Sequence, residues 1–158
     1  MTIPTKRPKL ATEVRQASLV DAALQLAAER SPAEITTTDL AHAVGITQGA
    51  VFRHFANKEA IWLAALDWTS DMLIARLQTA SAIAKAGTTT QADPLLSLQS
   101  VFMAHVDFVI EYPGVPRIIF QELQHAQDSL LKASVRALMQ RYRSLVIGLL
   151  QDAKTRGL

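Results

Sequence analysis

The 158-residue chain contains no cysteine, which excludes a disulfide framework and any cysteine-ligated zinc site, and fits a reducing compartment. Glycine and proline are scarce, at six residues each, too few for a loop-rich or low-complexity chain. No apolar run reaches the roughly 18 residues that a membrane-spanning helix requires. The N-terminal MTIPTKRPKL has no apolar stretch behind its positive charges, so no secretory leader is expected. No segment alternates at period two and no internal repeat is evident. Charge of one sign is also lacking: the formal net charge is +2, with seven Lys/Arg against six Asp/Glu in residues 1–60 and nine against eight in residues 61–158. Bulk electrostatics therefore do not announce a polyanionic partner, and only Lys6, Arg7, Lys9 and Arg15, with Glu13 among them, form a local basic arm.

Hydrophobic residues make up 49% and charged residues 19% of the chain, enough apolar material for an ordered helical core. Thr12 to Arg30 reads as a helix with Val20, Ala23, Leu24 and Ala27 on one face, ended by Ser31-Pro32. Thr36 followed by Asp39 has the form of a capping box and predicts a helix from Thr37, with Leu40, Ala41 and Val44 inward and Gly45 ending it. Thr47 then caps a second short helix whose buried side is Ala50, Val51 and Phe55. Small Ala41 and turn-forming Gly45 make this pair a helix-turn-helix pattern, ordinary by itself in helical proteins.

Asn57 caps a long helix expected to run to about Ala80, with a stripe of Ile61, Ala65, Trp68, Met72 and Ala75. Thr79 to Asp93 reads as a loop. Asp93-Pro94 starts the next helix, carrying Leu95, Leu98, Phe102, His105, Val106 and Val109 up to Tyr112-Pro113-Gly114. A short helix over 115–124 and a last one over 128–153 follow, the last with Leu131, Val135, Leu138, Tyr142, Leu145 and Leu149 on one side. The expected architecture is all-α: a three-helix domain with the helix-turn-helix over residues 1–56, joined by the long helix to a helical bundle over 57–158.

A helix fits the major groove of B-DNA, and a helix-turn-helix sets the first residues of its second helix against base edges. Here those are Thr47, Gln48, Gly49 and Ala50. Gln48 can pair bidentately with adenine, Thr47 can reach a base or a phosphate, Gly49 permits close backbone approach, and Ala50 can touch a thymine methyl. Thr37 and Thr38 stand at a helix N-terminus suited to a phosphate, and Arg53, His54 and Lys58 would add phosphate contacts.

Taken together, LVDAALQLAAE in the first helix and ITTTDLAHAVGITQGAVFRHFANKEAIW from Ile35 to Trp62 resemble the DNA-binding domain of the TetR family of bacterial transcription regulators. The resemblance implies a DNA-facing set of Thr37, Thr38, Thr47, Gln48, Gly49, Phe52, Arg53, His54 and Lys58. The position of Phe52 is commonly Tyr in that family, so only an apolar sugar or packing contact carries over. The turn at Ser31-Pro32 departs from the family's usual glycine.

The resemblance further implies that residues 57–158 bind a small effector and form a homodimer on a pseudo-palindromic double-stranded DNA operator, most often as a repressor. Family members usually continue for two more helices, so the dimer-forming part is expected to be incomplete at its C-terminal end. Phe102, His105, Phe108, Tyr112, Phe120, Met139 and Tyr142 are the candidate pocket residues, though each alone reads equally as core, and an isolated His105 reads as a core histidine bonded to a neighbour. His42, His54, His105 and His125 have no i, i+4 pairing, and neither a nucleophile–base pair nor a glycine-rich phosphate loop occurs. No metal, cofactor or enzymatic activity is expected, and the location is expected to be cytoplasmic. The competing reading is a helical interaction or small-molecule-binding module that does not read DNA sequence.

Overall fold

The computed structural model describes residues 12–86 and 93–157, and the basic-arm residues Lys6, Arg7 and Lys9 lie outside them. Every regular element among the described residues is a helix: α1 (Thr12–Glu29), α2 (Thr37–Val44), α3 (Gln48–Val51), α4 (Lys58–Ala86), α5 (Pro94–Glu111), α6 (Gly114–Gln124) and α7 (Leu130–Thr155). None of them is long and apolar enough to cross a membrane.

The helix ends follow from side chains adjacent to them. Thr36 Oγ1 accepts from the Asp39 N–H at 3.1 Å, and the Asp39 carboxylate accepts from the Thr36 N–H at 2.7 Å, so the capping box is complete. Gly45 closes α2 at φ 69°, and the following Ile46 N–H reaches back to the Ala41 carbonyl at 2.9 Å. That left-handed step is one an L side chain resists. Asn57 Oδ1 accepts from the Ala60 N–H and Asp93 Oδ1 from the Leu95 N–H, both at 2.8 Å, capping α4 and α5 as their sequences imply. Ser129 caps α7 by accepting from the Lys132 N–H at 3.0 Å, so that helix starts two residues later than the expected 128.

One continuous core joins the two halves of the chain. Leu19, Ala23 and Ala27 of α1, Ile35, Leu40 of α2 and Val51 of α3 are fully buried together with Ile61 and Ala65 of α4. Burying a side chain such as Ile35 contributes about 1.5–3 kcal/mol, and α2 and α3 are too short to persist without it. Further along, α4 packs between α5 and α7, while α6 lies across α1.

Several expectations need correction. The long helix does not stop near Ala80: it continues to Ala86, because Leu77 and Ser81 remain buried and Lys85 approaches Asp152 of α7 at 3.8 Å. The expected loop is thereby shortened, and residues 87–92 lie outside the described part. Its buried side is Ile61, Trp62, Ala65, Leu66, Thr69, Ser70, Leu73, Ile74, Leu77 and Ser81, whereas Met72 and Ala75 are exposed. The α5 face is likewise rotated from the expected one, with Ser97, Val101 and Phe108 buried and Phe102 60% exposed. Both helices are apolar on most sides, so periodicity alone left the inward direction open. The reading helix is also shorter than expected: α3 ends at Val51 and a turn carries the chain through His54.

Candidate DNA interface and effector cavity

The capped turn between α2 and α3 leaves Thr47, Gln48 and Gly49 exposed and Ala50 half-buried, with Val51 fully buried behind them. Thr47 caps α3 by accepting from the Ala50 N–H at 3.3 Å. Gln48 is oriented by its Nε2, which donates to Thr37 Oγ1 at 2.8 Å. This contact ties the two elements of the motif together across the presented face. Gly49 has ample room, since a Cβ built there meets nothing within 4 Å. Among the described residues no neighbour requires glycine at that point, and its lack of a side chain leaves the outer face bare.

Around this tip Thr38 and Arg53 are exposed, and neither side chain has a hydrogen-bonding partner among the described residues. Phe52 is 48% exposed. About half of its surface is therefore covered by the chain and half is open to an outside apolar contact. His54 is half-buried: its carbonyl accepts from Gln16 Nε2 at 2.9 Å, and its ring Nδ1 is shut away from solvent with no partner among the described residues. That nitrogen cannot reach a phosphate in this conformation. Lys58 Nζ donates to the Ala33 carbonyl at 3.1 Å, bracing the turn after α1, and is half-buried.

Electrostatics reinforce the motif's frame. Hydrogen bonds from the Thr36 backbone and hydroxyl, and then the Arg30 guanidinium at 3.0 Å, pull the Asp39 carboxyl down to about 2 from its usual 3.8.

The C-terminal helices form a partly open cavity of about 480 Å³ lined by Leu73, His105, Phe108, Val109, Val115, Pro116, Ile119, Phe120, Leu138, Met139 and Tyr142. Of the residues expected at a pocket, His105, Phe108, Phe120, Met139 and Tyr142 meet here. Phe102 instead lines a separate recess with Leu95, Leu98 and Val146, because α5 is rotated. Tyr112 packs against Trp68 and Phe108, with ring centroids 5.0 Å apart in each pair, and is not among the residues that line this cavity. The neighbour bond expected for His105 is not found among the described residues: its Nδ1 is buried without a hydrogen-bond partner, and burial pushes its pKa below the usual 6.5. Apart from Phe120, the lining residues from α6 and α4 carried no signal in the sequence beyond ordinary hydrophobicity.

Helix α6 is fastened to the DNA-binding half at two places. Gly114, at the start of α6, lies so close to α1 that a Cβ would stand 2.2 Å from the Leu24 carbonyl oxygen and 2.8 Å from the Ala28 nitrogen. Ser31 Oγ and the Ala33 N–H both donate to Gln121 Oε1 of α6, at 3.1 and 3.2 Å. The Ser31-Pro32 departure thus has a structural counterpart, in which a serine hydroxyl takes hold of α6.

Residues 19–65 match the model of the bacterial regulatory proteins of the tetR family. Over 158 residues the chain is 28% identical to the nucleoid occlusion factor SlmA of Glaesserella parasuis serovar 5, covering 99% of this chain and 75% of that protein. Among solved structures it is similar to the ketosteroid transcriptional regulator KstR2 of Mycobacterium tuberculosis, with a TM-score of 0.69 and 26% identity over 87% of this chain and 66% of that one. It shares the fold of FadR from Bacillus subtilis, solved with stearoyl-CoA, at a TM-score of 0.69 and 20% identity over 89% of this chain and 72% of that one. With its capped helix-turn-helix, its outward Thr47–Gln48–Gly49 tip and the family match over that segment, residues 19–65 form a DNA-binding domain of the TetR-family type, and the chain is a DNA-binding regulator.

Proposed function

We propose that the chain is a ligand-responsive repressor that reads a pseudo-palindromic operator as a homodimer in the cytoplasm, with residues 1–56 as the DNA-reading unit and 57–158 as the sensing and dimer-forming unit. The observation that carries this reading is the joint arrangement of Thr47, Gln48 and Gly49, exposed at the start of α3 over a buried Val51. Thr47, Gln48, Gly49 and Ala50 face the bases. Thr37, Thr38, Arg53 and Lys58 hold phosphates, Phe52 lies on the sugar edge, and His54 supports the turn with its outer ring edge toward the backbone of the DNA.

Two reading helices bind one operator only when their separation matches the groove repeat, about 34 Å or a multiple of it. An effector in the cavity at Leu73, Val115 and Ile119 touches α4 and α6, the helices that meet the DNA-reading unit. A change in either alters that separation. Exposed Phe102, Met103, Ile147 and Leu150 on α5 and α7 offer apolar surface for a second copy. The activity is one of binding, and no catalytic role is assigned to any residue. Selection of bound DNA from a random pool tests the reading: enrichment of a two-fold symmetric site is expected, and recovery of no common sequence overturns it.

The likeness to a nucleoid occlusion factor along 99% of the chain favours a second reading, in which the DNA-bound protein acts on nucleoid occlusion. Genome-wide binding separates the two. Sites beside promoters whose transcription changes on deletion support repression, and dispersed sites with unchanged transcription support the alternative.

A further inference from the structure

The cavity between α5, α6 and α7 has a chemistry that narrows its occupant. We propose that it takes an uncharged, largely apolar small molecule bearing one hydrogen-bonding group, such as a ketone or a hydroxyl, that docks on His105. The proposal rests on the effector-binding reading above and names the class of effector.

Of the described lining residues, only His105 and Tyr142 carry a polar side-chain group, and Asp, Glu, Lys and Arg are absent from the wall. Two cations of the flanking helices are engaged elsewhere. Arg76 pairs with Glu111 at 2.7 Å while lying 5.6 Å from the centroid of Phe108, and Arg141 bonds Asp71 at 2.9 Å and Ser70 at 2.6 Å. A carboxylate, phosphate or ammonium set against this wall would meet no countercharge there, which is costly to the extent that it loses its hydration. A coenzyme A thioester such as that held by the Bacillus subtilis FadR structure carries phosphates that this wall does not match.

His105 supplies the single point of recognition. Its Nδ1 is shut away from solvent without a partner among the described residues, while the ring still lines the cavity, so a ligand group would meet the other edge of the imidazole. Burial keeps the ring neutral at neutral pH, so one nitrogen donates and the other accepts. Tyr142 packs edge-on at 5.4 Å between centroids and 69° between planes, fixing the imidazole. The volume of about 480 Å³ lies within the range of small-molecule sites, roughly 300–1,000 Å³.

The test uses the full chain and four probes of one chain length: 2-decanone, 1-decanol, decanoate and decyltrimethylammonium, with dissociation constants from titration calorimetry. The ketone and alcohol are expected to bind, each at least about tenfold tighter than either charged probe. His105→Leu should weaken 2-decanone by about three- to tenfold, and His105→Gln should recover part of it. Val109→Phe, filling a half-buried lining position, should abolish binding of both neutral probes, with thermal melts confirming that each variant folds. Equal or tighter binding of a charged probe, no binding of any probe up to its solubility limit, or unchanged ketone affinity in folded His105→Leu would each overturn the proposal. DNA selection on the same preparation keeps the two readings apart. An enriched symmetric site without neutral-probe binding sinks the ligand class alone, whereas His105-dependent ketone binding without any enriched DNA sinks the operator reading alone.

Discussion

Gln121 and Ser31 are held together across the two halves of the protein: Gln121 Oε1 accepts from Ser31 Oγ at 3.1 Å and, at 3.2 Å, from the N–H of Ala33. One amide oxygen on α6 thereby fixes the turn that leads from α1 into the DNA-reading motif. The next residues N-terminal on α6, Phe120 and Ile119, line the cavity, so occupancy of the cavity and the position of the turn share a helix.

Gln121→Ala should leave operator affinity within about threefold of the parent while reducing the response to a bound effector. Loss of two partly exposed hydrogen bonds costs about 1 kcal/mol, or about 2–4 °C in Tm for a domain of this size. Operator affinity with and without effector, in both proteins, checks it. An undiminished response would show that coupling runs through α4 alone.

Gly114→Ala tests the closeness of α1 and α6. The added methyl faces backbone atoms of Leu24, Ala27 and Ala28, which cannot turn aside, and overpacking of this kind costs about 1–3 kcal/mol or more. Gly148 of α7 is the control. A Cβ there meets nothing within 4 Å, so Gly148→Ala should stabilise by about 0.5–1 kcal/mol. Urea unfolding of the two variants should shift in opposite directions.

Gly49→Ala separates folding from DNA contact. Space for a Cβ is open and the position is helical, so the melting temperature should hold or rise. Operator affinity should fall by about tenfold, a loss of ~1.4 kcal/mol, because the new methyl stands on the surface that meets the groove. Retained affinity would move the interface away from α3.

Gln48→Ala and Arg53→Ala should fail differently. The first should relax base preference at one position of each half-site by about 1–3 kcal/mol. Arg53→Ala should weaken all sequences alike and reduce the slope of log affinity against log salt by about 1 per protomer. Competition binding at several salt concentrations distinguishes the two patterns.

Asp39 predicts an acid-side stability change of defined sign. Its carboxyl is held at about 2 in the folded chain against an ordinary 3.8, so the folded state favours the ionised form. The stabilisation is complete above pH 3.8 and is lost as the pH falls from there through about 2. Asp39→Asn should remove that part of the pH dependence in the window, while also weakening the cap at all pH values. Melting temperatures of both proteins between pH 2 and 5 measure the difference.

Local chemistry made the motif legible before any packing was known. Thr36, Asp39 and Gly45 act within a few residues of one another, so their bonds depend only on neighbours along the chain. The same holds for the caps at Thr47, Asn57 and Asp93. The inward face of α5 was not legible, because Phe102 and Phe108 are equally apolar and only the positions of α4 and α7 decide that Phe108 turns in. Phe52 shows the same limit, since an apolar side chain beside a buried Val51 gives no sign that it faces outward.

By itself, then, the sequence determined an all-helical chain, its helix starts and the tip Thr47–Gln48–Gly49, because capping, turn geometry and helical period act over short distances along the backbone. Only the tertiary structure decided which apolar residues line a cavity, that the buried Nδ1 of His105 has no partner there, and that Gly114 and Gln121 fasten α6 to the DNA-reading half. Those features join residues far apart in the chain, and their geometry exists only once the helices are packed.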